Sequence, residues 1–177
     1  MKADASRALL HEAEQLGHEA RARSNDHMAL KLWLRLLACT TQVEAEIRRR
    51  VRKRFGTSLA RFDYLAQLYR HRDGLKMRSL SRCLMVTRGN ITGLTDELER
   101  DGLVSREADS ADRRSWLVKL TPKGRRIFET MAREHEGWIL ELFGGLDDGT
   151  MQQLHHTLGA LRVQLMQLDK GEDPIER

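Results

Sequence analysis

Residues 75–124 constrain the fold of this 177-residue chain most, because their pattern predicts two helices followed by two strands. Leu80 and Leu84 are four residues apart, so they fall on one face of a first helix. A short turn at residues 85–86 comes next, and Thr87 is then a suitable N-cap for a second helix. Two helices joined by so short a turn are typical of a helix-turn-helix.

The second helix is predicted to run to about Arg100, with one apolar face and one open face. Ile91, Leu94 and Leu98 form the apolar face. The open face contains two glycines, and a glycine inside a helix costs about 1 kcal/mol relative to alanine. A helix that enters a groove can need such glycines, because they let its backbone approach a partner closely. The residues of the open face are Arg88, Gly89, Asn90, Thr92 and Gly93.

A two-stranded ribbon with a positively charged tip is predicted after this helix. Asp101 and Gly102 end the helix, and glycine suits the left-handed cap with which many helices end. Residues 103–107 form a first strand, residues 108–114 a polar turn, and residues 115–121 a second strand with apolar side chains at alternate positions. The fold class is therefore mainly α with a small β-hairpin wing, a winged helix-turn-helix.

The wing sequence DRRSWLVKLTPKG, which begins at Asp112, closely resembles the wing signature of the MarR family of bacterial transcription regulators. The segment NITGLTDELERDGLV, which begins at Asn90, resembles the family's DNA-contacting helix and lies at the expected distance from the wing. The resemblance covers both elements that contact DNA, and the order of the flanking helices agrees with it. It implies that double-stranded DNA is a partner of this chain.

We expect the helix and the wing to divide the recognition of DNA between them. Arginine can pair with guanine through two hydrogen bonds and asparagine with adenine, so Arg88 and Asn90 are expected to read base edges in the major groove. Arg114 is expected to enter the minor groove, and Asp112 to hold it there. The predicted DNA-binding residues are Ser79, Thr87, Arg88, Gly89, Asn90, Thr92, Gly93, Asp112, Arg113 and Arg114.

Helices on both sides of the winged domain divide the chain into four segments. These are an N-terminal helical arm (1–25), a linking and dimerisation helix (26–56), the DNA-binding domain (57–124) and the C-terminal dimerisation helices (125–177). In the last helix, leucines recur at alternating spacings of three and four, which favours a partner helix. They follow Met151 and are Leu154, Leu158, Leu161, Leu165 and Leu168. Together with the resemblance, they predict a homodimer on a pseudo-palindromic DNA site.

Charge and hydropathy agree with a DNA-binding protein of the cytoplasm. Lys and Arg number 31 against 26 Asp and Glu, and this excess favours an anionic partner. No stretch reaches the roughly 18 to 20 apolar residues that a bilayer span needs. The N-terminus also lacks the apolar core of a signal peptide, so we expect a cytoplasmic location without a membrane partner.

Catalysis and metal binding have little support in the sequence. There is no P-loop, Rossmann glycine pattern, nucleophile elbow or HExxH pair, so we expect neither an enzyme nor a cofactor. His155 and His156 are adjacent and would point about 100° apart on a helix, which disfavours a shared zinc ion. Cys39 and Cys83 stand alone in helices, where cysteines are usually small buried hydrophobic residues. A zinc sensor or a cysteine-based redox sensor of the same fold remains an alternative.

The resemblance also implies a small-molecule effector bound where the dimerisation helices meet the winged domain. The segment 29–68 is similar to members that regulate aromatic-acid catabolism, some of which respond to hydroxycinnamoyl-CoA thioesters. The cations of residues 48–54 could bind the phosphates of coenzyme A or of DNA, although a solvated helix end also explains such a run. The predicted ligand-binding residues are Trp33, Leu37, Arg52, Arg54, Phe62, Leu65 and Tyr69.

These patterns and the resemblance together predict a homodimeric transcription regulator, acting as a repressor, that an aromatic acid or its CoA thioester releases from its operator. An architectural DNA-binding protein without an effector is the alternative from a different functional class.

Overall fold

The structure, a computed structural model, describes residues 27–84, 88–108 and 116–171, and at the N-terminus residues 8–12, 14–15, 18–21 and 23. For residues 88–89 and 169–171 it describes the backbone alone. The chain forms two compact units, Met1–Glu136 and Gly137–Arg177. The elements are α1 (Met28–Phe55), α2 (Leu59–Arg70), β1 (Leu75–Lys76), α3 (Met77–Cys83), α4 (Arg88–Arg100), β2 (Val104–Ala108), β3 (Trp116–Leu120), α5 (Pro122–Phe143) and α6 (Asp148–Gly171).

The predicted fold class, mainly α with a small winged sheet, is confirmed. The sheet, however, has three strands rather than the two of the predicted ribbon. β3 lies between β1 and β2 and is antiparallel to both, with Leu75 opposite Val118 on one side and Arg106 opposite Val118 on the other. β1 contains two residues and leads directly into α3, so one sheet joins the start of the helix-turn-helix to the wing.

The core of the first unit is built from one apolar face of each element around the sheet. α2 contributes most to it, because four of its twelve residues are buried. α3 contributes Leu80, which is fully buried, as the predicted apolar face of this helix requires. The buried core residues are Phe62, Tyr64, Leu65, Leu68, Leu80, Ile91, Leu98, Leu103, Val104, Val118, Phe128 and Met131.

The N-terminal arm is not one continuous α-helix over its described residues, contrary to the prediction. Residues 8–12 are helical, but Glu19–Arg21 form a 3-10 turn. Arg35 of α1 holds this part of the chain through Glu14 and Glu19, each 2.5 Å from its guanidinium group. The arm is therefore attached to α1 by ion pairs, while Leu9 and Leu10 stay exposed.

The second unit contains the end of α5 and all of α6. Asp147 caps α6, because its Oδ1 accepts a hydrogen bond of 2.9 Å from the amide of Thr150. This hydrogen bond also lowers the pKa of Asp147. The apolar stripe of α6 includes Leu154, Leu158, Leu165 and Leu168, all of which are exposed in the single chain.

Candidate nucleic-acid interface

Helix α4 has the two faces that the sequence predicted. Ile91 and Leu98 are buried, with relative exposures of 1% and 0%. Asn90, Thr92 and Gly93 are exposed on the other face. A Cβ atom added at Gly93 would have no neighbour within 4 Å, so this part of the helix borders open space.

Several predicted DNA-binding residues fall where the structure gives no side-chain description. Thr87, Asp112, Arg113 and Arg114 lie outside the described residues, as does the turn at 85–86. Arg88 and Gly89 form the first turn of α4, and their backbone is helical.

A buried polar pair fixes α4 to α2, and sequence patterns did not identify it. Thr95 is fully buried, and its hydroxyl donates to the carbonyl oxygen of Ile91 at 2.6 Å. That hydroxyl has one proton, so the hydroxyl of Tyr64, also 2.6 Å away, is the donor in the second hydrogen bond. Burial raises the pKa of Tyr64 to about 12. The available signal was the four-residue spacing of Thr95 from Ile91, which places both on the core face of the helix.

Two arginines hold α4 from either side. Arg61 of α2 pairs with Glu97, at 3.3 Å, and with Asp101 at the end of α4. The hydrogen bond from Arg61 lowers the pKa of Asp101. Arg106 of β2 pairs with Glu99, at 3.0 Å, and with Asp96. The helix is thus attached to the scaffold on one side and to the wing on the other.

The base of the wing is closed by the segment between α4 and α5. Gly102 has φ of 70°, which confirms the predicted left-handed cap, and the amide of Leu103 donates to the carbonyl of Leu98 at 2.9 Å. The hydroxyl of Thr121 donates to the carbonyl of Gly102 at 2.7 Å. Gly124 packs so closely here that a Cβ atom would lie 1.9 Å from the carbonyl oxygen of Leu103. The T-P-K-G segment of the wing signature therefore fixes the wing to α5.

Two cations on α3 were absent from the predicted site. Arg78 and Arg82 are exposed and four residues apart, so they share one side of the first helix of the helix-turn-helix. Ser79, which was predicted, is half-buried between them in sequence. These two arginines could have been predicted from the sequence, since the first helix of this motif commonly crosses the DNA backbone.

The predicted ligand-binding residues do not form one cluster. A cavity of about 500 Å³ is lined by Phe62 and Tyr69 of α2 together with Phe128 and His135 of α5. The Phe62 ring lies 5.5 Å from that of Phe128 and 4.9 Å from that of His135. Leu65 is not part of this cavity and lines another, of about 800 Å³, beside the end of α4.

The remaining predicted ligand residues are on α1. Trp33 is 57% exposed, Leu37 is half-buried, and neither lines the cavity that contains Phe62. Arg52 borders a separate cavity of about 520 Å³. Arg54 pairs with Glu134 at 3.1 Å.

Acidic residues of the same helix pair with three cations of the run at the end of α1. Arg49 and Arg50 both pair with Glu46, at 2.6 Å, and Arg48 pairs with Glu44. The hydrogen bond from Arg49 is the main reason why the pKa of Glu46 falls to about 2. The run is therefore partly neutralised by carboxylates one turn earlier in the same helix.

Burial has opposite effects on two groups at the aromatic cavity. It raises the pKa of Asp63 and lowers the pKa of His135. In both cases burial disfavours the charged form of the group.

The sensor alternatives can also be compared with the structure. Cys39 and Cys83 are exposed free thiols, so the expectation that they are buried was wrong. Among the described residues, no group of three or more His, Cys, Asp or Glu side chains could hold a metal ion. His155 and His156 are both exposed on α6. None of the described helices is long and apolar enough to cross a membrane.

Comparison with known proteins shows the same combination of elements. The sequence pattern of the MarR family matches residues 57–116. The transcriptional activatory protein BadR of Rhodopseudomonas palustris is 35% identical over 81% of this chain and 83% of its own length. A MarR family transcriptional regulator from Silicibacter pomeroyi is 33% identical, with a TM-score of 0.65 over 83% of this chain and 99% of that structure.

A further similar structure contains a ligand. CouR from Rhodococcus jostii RHA1, in a crystal structure bound to p-coumaroyl-CoA, is 25% identical to this chain. Its TM-score is 0.64, and the match covers 80% of this chain and 94% of CouR.

Proposed function

This chain belongs to the MarR family and is a DNA-binding transcription regulator, and from that premise we propose that it binds a pseudo-palindromic operator as a homodimer. Its relatives are transcription regulators rather than enzymes. The proposal rests chiefly on α4, whose exposed face is free of large apolar side chains and which ion pairs attach to α2 and to β2. Such a helix can enter a major groove without rearrangement.

We propose that Arg88 and Asn90 read bases, and that Arg114 occupies the minor groove with support from Asp112. The exposed arginines of α3, Arg78 and Arg82, would add contacts to phosphates, which position a protein on DNA without reading its sequence. Thr87, Gly89, Thr92, Gly93 and Arg113 complete the proposed interface, with Ser79 at the edge of α3.

The proposed division of roles can be tested with a duplex that the wild-type protein selects from a random-sequence pool. Arg88→Ala should weaken binding by about 1 to 3 kcal/mol and relax the preference at one base position in each half-site. Arg114→Ala should weaken binding to all duplexes and reduce the salt dependence by about one unit per contact. Arg133→Ala, which removes an exposed cation of α5, is the control. An unchanged base preference for Arg88→Ala would contradict the proposed reading role.

We propose that the effector is an aromatic carboxylic acid or its CoA thioester. The aromatic cavity supports this class of ligand, because its volume of about 500 Å³ suits a small molecule and the rings of Phe62, Tyr69 and Phe128 line it. Arg70 also lines the cavity and could pair with a carboxylate. The p-coumaroyl-CoA bound to CouR agrees with this class. The regulated genes would then serve the breakdown of aromatic compounds.

The two forms of the effector can be distinguished by calorimetry. Replacing Arg52 and Arg54 with Gln should weaken a thioester more than the free acid, because only the thioester carries phosphates. The ligand and the DNA must weaken each other by the same factor, typically about 5- to 150-fold. Equal losses for the acid and the thioester would contradict the role of these arginines, and no binding of any aromatic compound would contradict the proposed effector class.

We propose repression as the direction of regulation, because a dimer that occupies a promoter site excludes the polymerase. The similarity to BadR, which is named as an activatory protein, favours activation as the second candidate. Transcription in vitro from a promoter that carries the selected duplex decides between them. Fewer transcripts on addition of the protein support repression, whereas more transcripts support activation.

A further inference from the structure

Trp116 is a large aromatic side chain that the core of the winged domain does not use. It is the first residue of β3, lies opposite Ala108 and is 54% exposed. Alternate residues of a strand point to the same face, so Trp116 shares a face with Val118, which is fully buried. The indole of Trp116 therefore lies on the same face of the strand as the core residue Val118, but outside the core.

The register of the sheet indicates which part of α4 this face approaches. Arg106 lies opposite Val118 and pairs with Asp96 and Glu99, so the face that carries Val118 is directed toward α4. β2 follows α4 after a tight turn and runs back along it, since Arg106, farther along β2, pairs with residues before the end of the helix. Residues nearer the wing tip therefore approach earlier turns of α4.

The lengths per residue of a strand and of a helix indicate which turn of α4 corresponds to Trp116. Two residues of a strand span about 6.6 Å, which is the length of about four residues of an α-helix. Moving two positions from the Arg106 pair toward the wing tip thus corresponds to moving from Asp96 to about Thr92. Thr92 and Gly93 are exposed, and Gly93 borders open space. By this correspondence, the indole would face the open space beside Gly93.

The chemistry of this space suits a DNA backbone. An indole offers a flat apolar surface for the face of a deoxyribose ring and one N–H donor for a phosphate oxygen. Arg113 and Arg114 precede Trp116 by three and two residues in the sequence, so positive charge lies close to it along the chain. A strand of DNA that passes from the groove read by α4 to the groove entered by the wing must cross the gap between them.

We propose that Trp116 contacts the sugar-phosphate backbone of DNA at this crossing and so sets the distance between the two groove contacts. This inference rests on the DNA-binding mode proposed above. The contact is independent of base sequence, because sugars and phosphates are the same at every position. It also involves no formal charge, so it adds affinity without adding to the salt dependence.

Two measurements on Trp116→Ala test the inference. The affinity for the selected duplex and for an unrelated mixed-sequence duplex should fall by a similar factor, about 5- to 30-fold, with an unchanged salt slope. Trp116→Phe keeps a ring at the position, so its DNA affinity should lie between that of Trp116→Ala and that of the wild type. Leu117→Ala, on the opposite face of the same strand, is the matched control and should bind both duplexes like the wild type.

Hydroxyl-radical footprinting locates the contact, because the radicals attack deoxyribose. Trp116→Ala should lose protection at a few sugars in each half-site, between the segment covered by α4 and the segment covered by the wing. An affinity within twofold of the wild type, or an unchanged footprint, would overturn the inference and leave the DNA-binding mode intact. A loss of affinity confined to the selected duplex would also overturn it, since that result indicates base reading. Failure of the wild-type protein to bind any duplex would instead overturn the DNA-binding mode itself.

Discussion

Gly93 and Gly124 are both helical glycines, but an added methyl group would have opposite consequences at the two positions. At Gly124 the new Cβ atom would lie 1.9 Å from a backbone oxygen, which cannot move without opening the base of the wing. At Gly93 it would meet nothing within 4 Å. The first glycine is therefore required by packing inside the protein, whereas the second agrees with the proposed close approach of α4 to DNA.

Alanine substitution should separate these two roles. Gly124→Ala should lower the free energy of unfolding by about 1 to 3 kcal/mol, because the backbone must shift. Gly93→Ala should raise it by about 1 kcal/mol, because alanine is the better helix former. The same Gly93 variant should bind the selected duplex more weakly. Urea unfolding and duplex titration measure the two effects, and a Gly93→Ala protein with full DNA affinity would contradict the close approach.

Thr95→Val tests the buried polar pair. The substitution keeps the shape of the side chain but leaves the Tyr64 hydroxyl without its partner in the core, which should cost about 1 to 3 kcal/mol. Tyr64→Phe in the Thr95→Val background removes the unpaired hydroxyl and should recover part of the loss. A double-mutant cycle measured by urea unfolding gives the coupling, and additive losses would show that the two hydroxyls do not interact.

The raised pKa of Tyr64 predicts a dependence of stability on alkaline pH. In the unfolded chain the phenol titrates at its ordinary value of 10.0, whereas in the folded protein its pKa is about 12. Between these values the folded state holds a proton that the unfolded state has lost. The contribution of this group to the free energy of unfolding is therefore fully present below pH 10 and decreases as the pH rises toward 12. The loss is about 1.4 kcal/mol per pH unit. Tyr64→Phe should flatten this part of the profile relative to the wild type, and parallel profiles would contradict the assignment.

At the scale of elements, α4 is held by two arginines that differ in what they attach. Arg61 connects the helix to α2, and Arg106 connects it to the wing. Both guanidinium groups are mostly covered, whereas their carboxylate partners are about half exposed. Ion pairs of this kind contribute modestly to stability, so their main effect is on the relative position of the elements.

Removing each arginine should therefore have a similar effect on stability but a different effect on binding. Arg61→Ala and Arg106→Ala should each lower the free energy of unfolding by about 1 kcal/mol. Only Arg106→Ala should reduce the protection of the minor-groove segment under the wing, because only that pair fixes the wing to α4. Footprints on the selected duplex compare the two proteins, and identical footprints would contradict a positioning role for Arg106.

Local signals explain why most elements could be predicted from the sequence. The bounds of α4 and the cap at Gly102 depend on residues within one or two turns, and both were predicted. β1 was not, because two residues carry no periodicity and pair with β3 only after the chain has returned from α4. The arm was predicted as one helix from the spacing of its apolar residues. That spacing carries no information on the ion pairs with Arg35, which is far away in sequence.

Parts of the candidate site that depend on local spacing could be predicted, whereas parts that depend on packing between elements could not. The exposed face of α4 follows from helical spacing, so the positions of Asn90, Thr92 and Gly93 were predictable. The aromatic cavity depends on how α2 packs against α5, and spacing alone could not separate Phe62, which lines it, from Leu65, which does not. The exposure of Cys83 likewise depends on what packs around the end of α3.

At the scale of the whole molecule, the leucine stripe of α6 stays exposed in the part of its unit that the structure describes. Leu154, Leu158, Leu165 and Leu168 are each 38% to 64% exposed in the single chain. Leaving so many leucines in water is unfavourable, since full burial of each contributes about 1.5 to 3 kcal/mol. A second copy of the chain would cover them, in agreement with the proposed homodimer.

Leu158→Asp combined with Leu161→Asp should therefore give monomers, because two charges in each copy would enter the apolar contact. Gln153→Asp combined with His156→Asp is the control, since these residues lie outside the stripe on the same helix. Sedimentation at micromolar concentration distinguishes the species. If the leucine variant still sediments as a dimer, α6 does not form the interface.

The small strand β1 has a consequence for the DNA sequences that such a protein can recognise. Because β1 joins the entry of α3 to β3, the two parts of one subunit that are proposed to contact DNA grooves are linked both there and through the Arg106 pair. The number of base pairs between the segment read by α4 and the segment under the wing should then be constant among selected duplexes. The number between the two half-sites depends instead on the contact between the two copies of the proposed dimer. An effector that separates the copies would change which half-site spacings are bound, while each half-site would keep the same internal sequence.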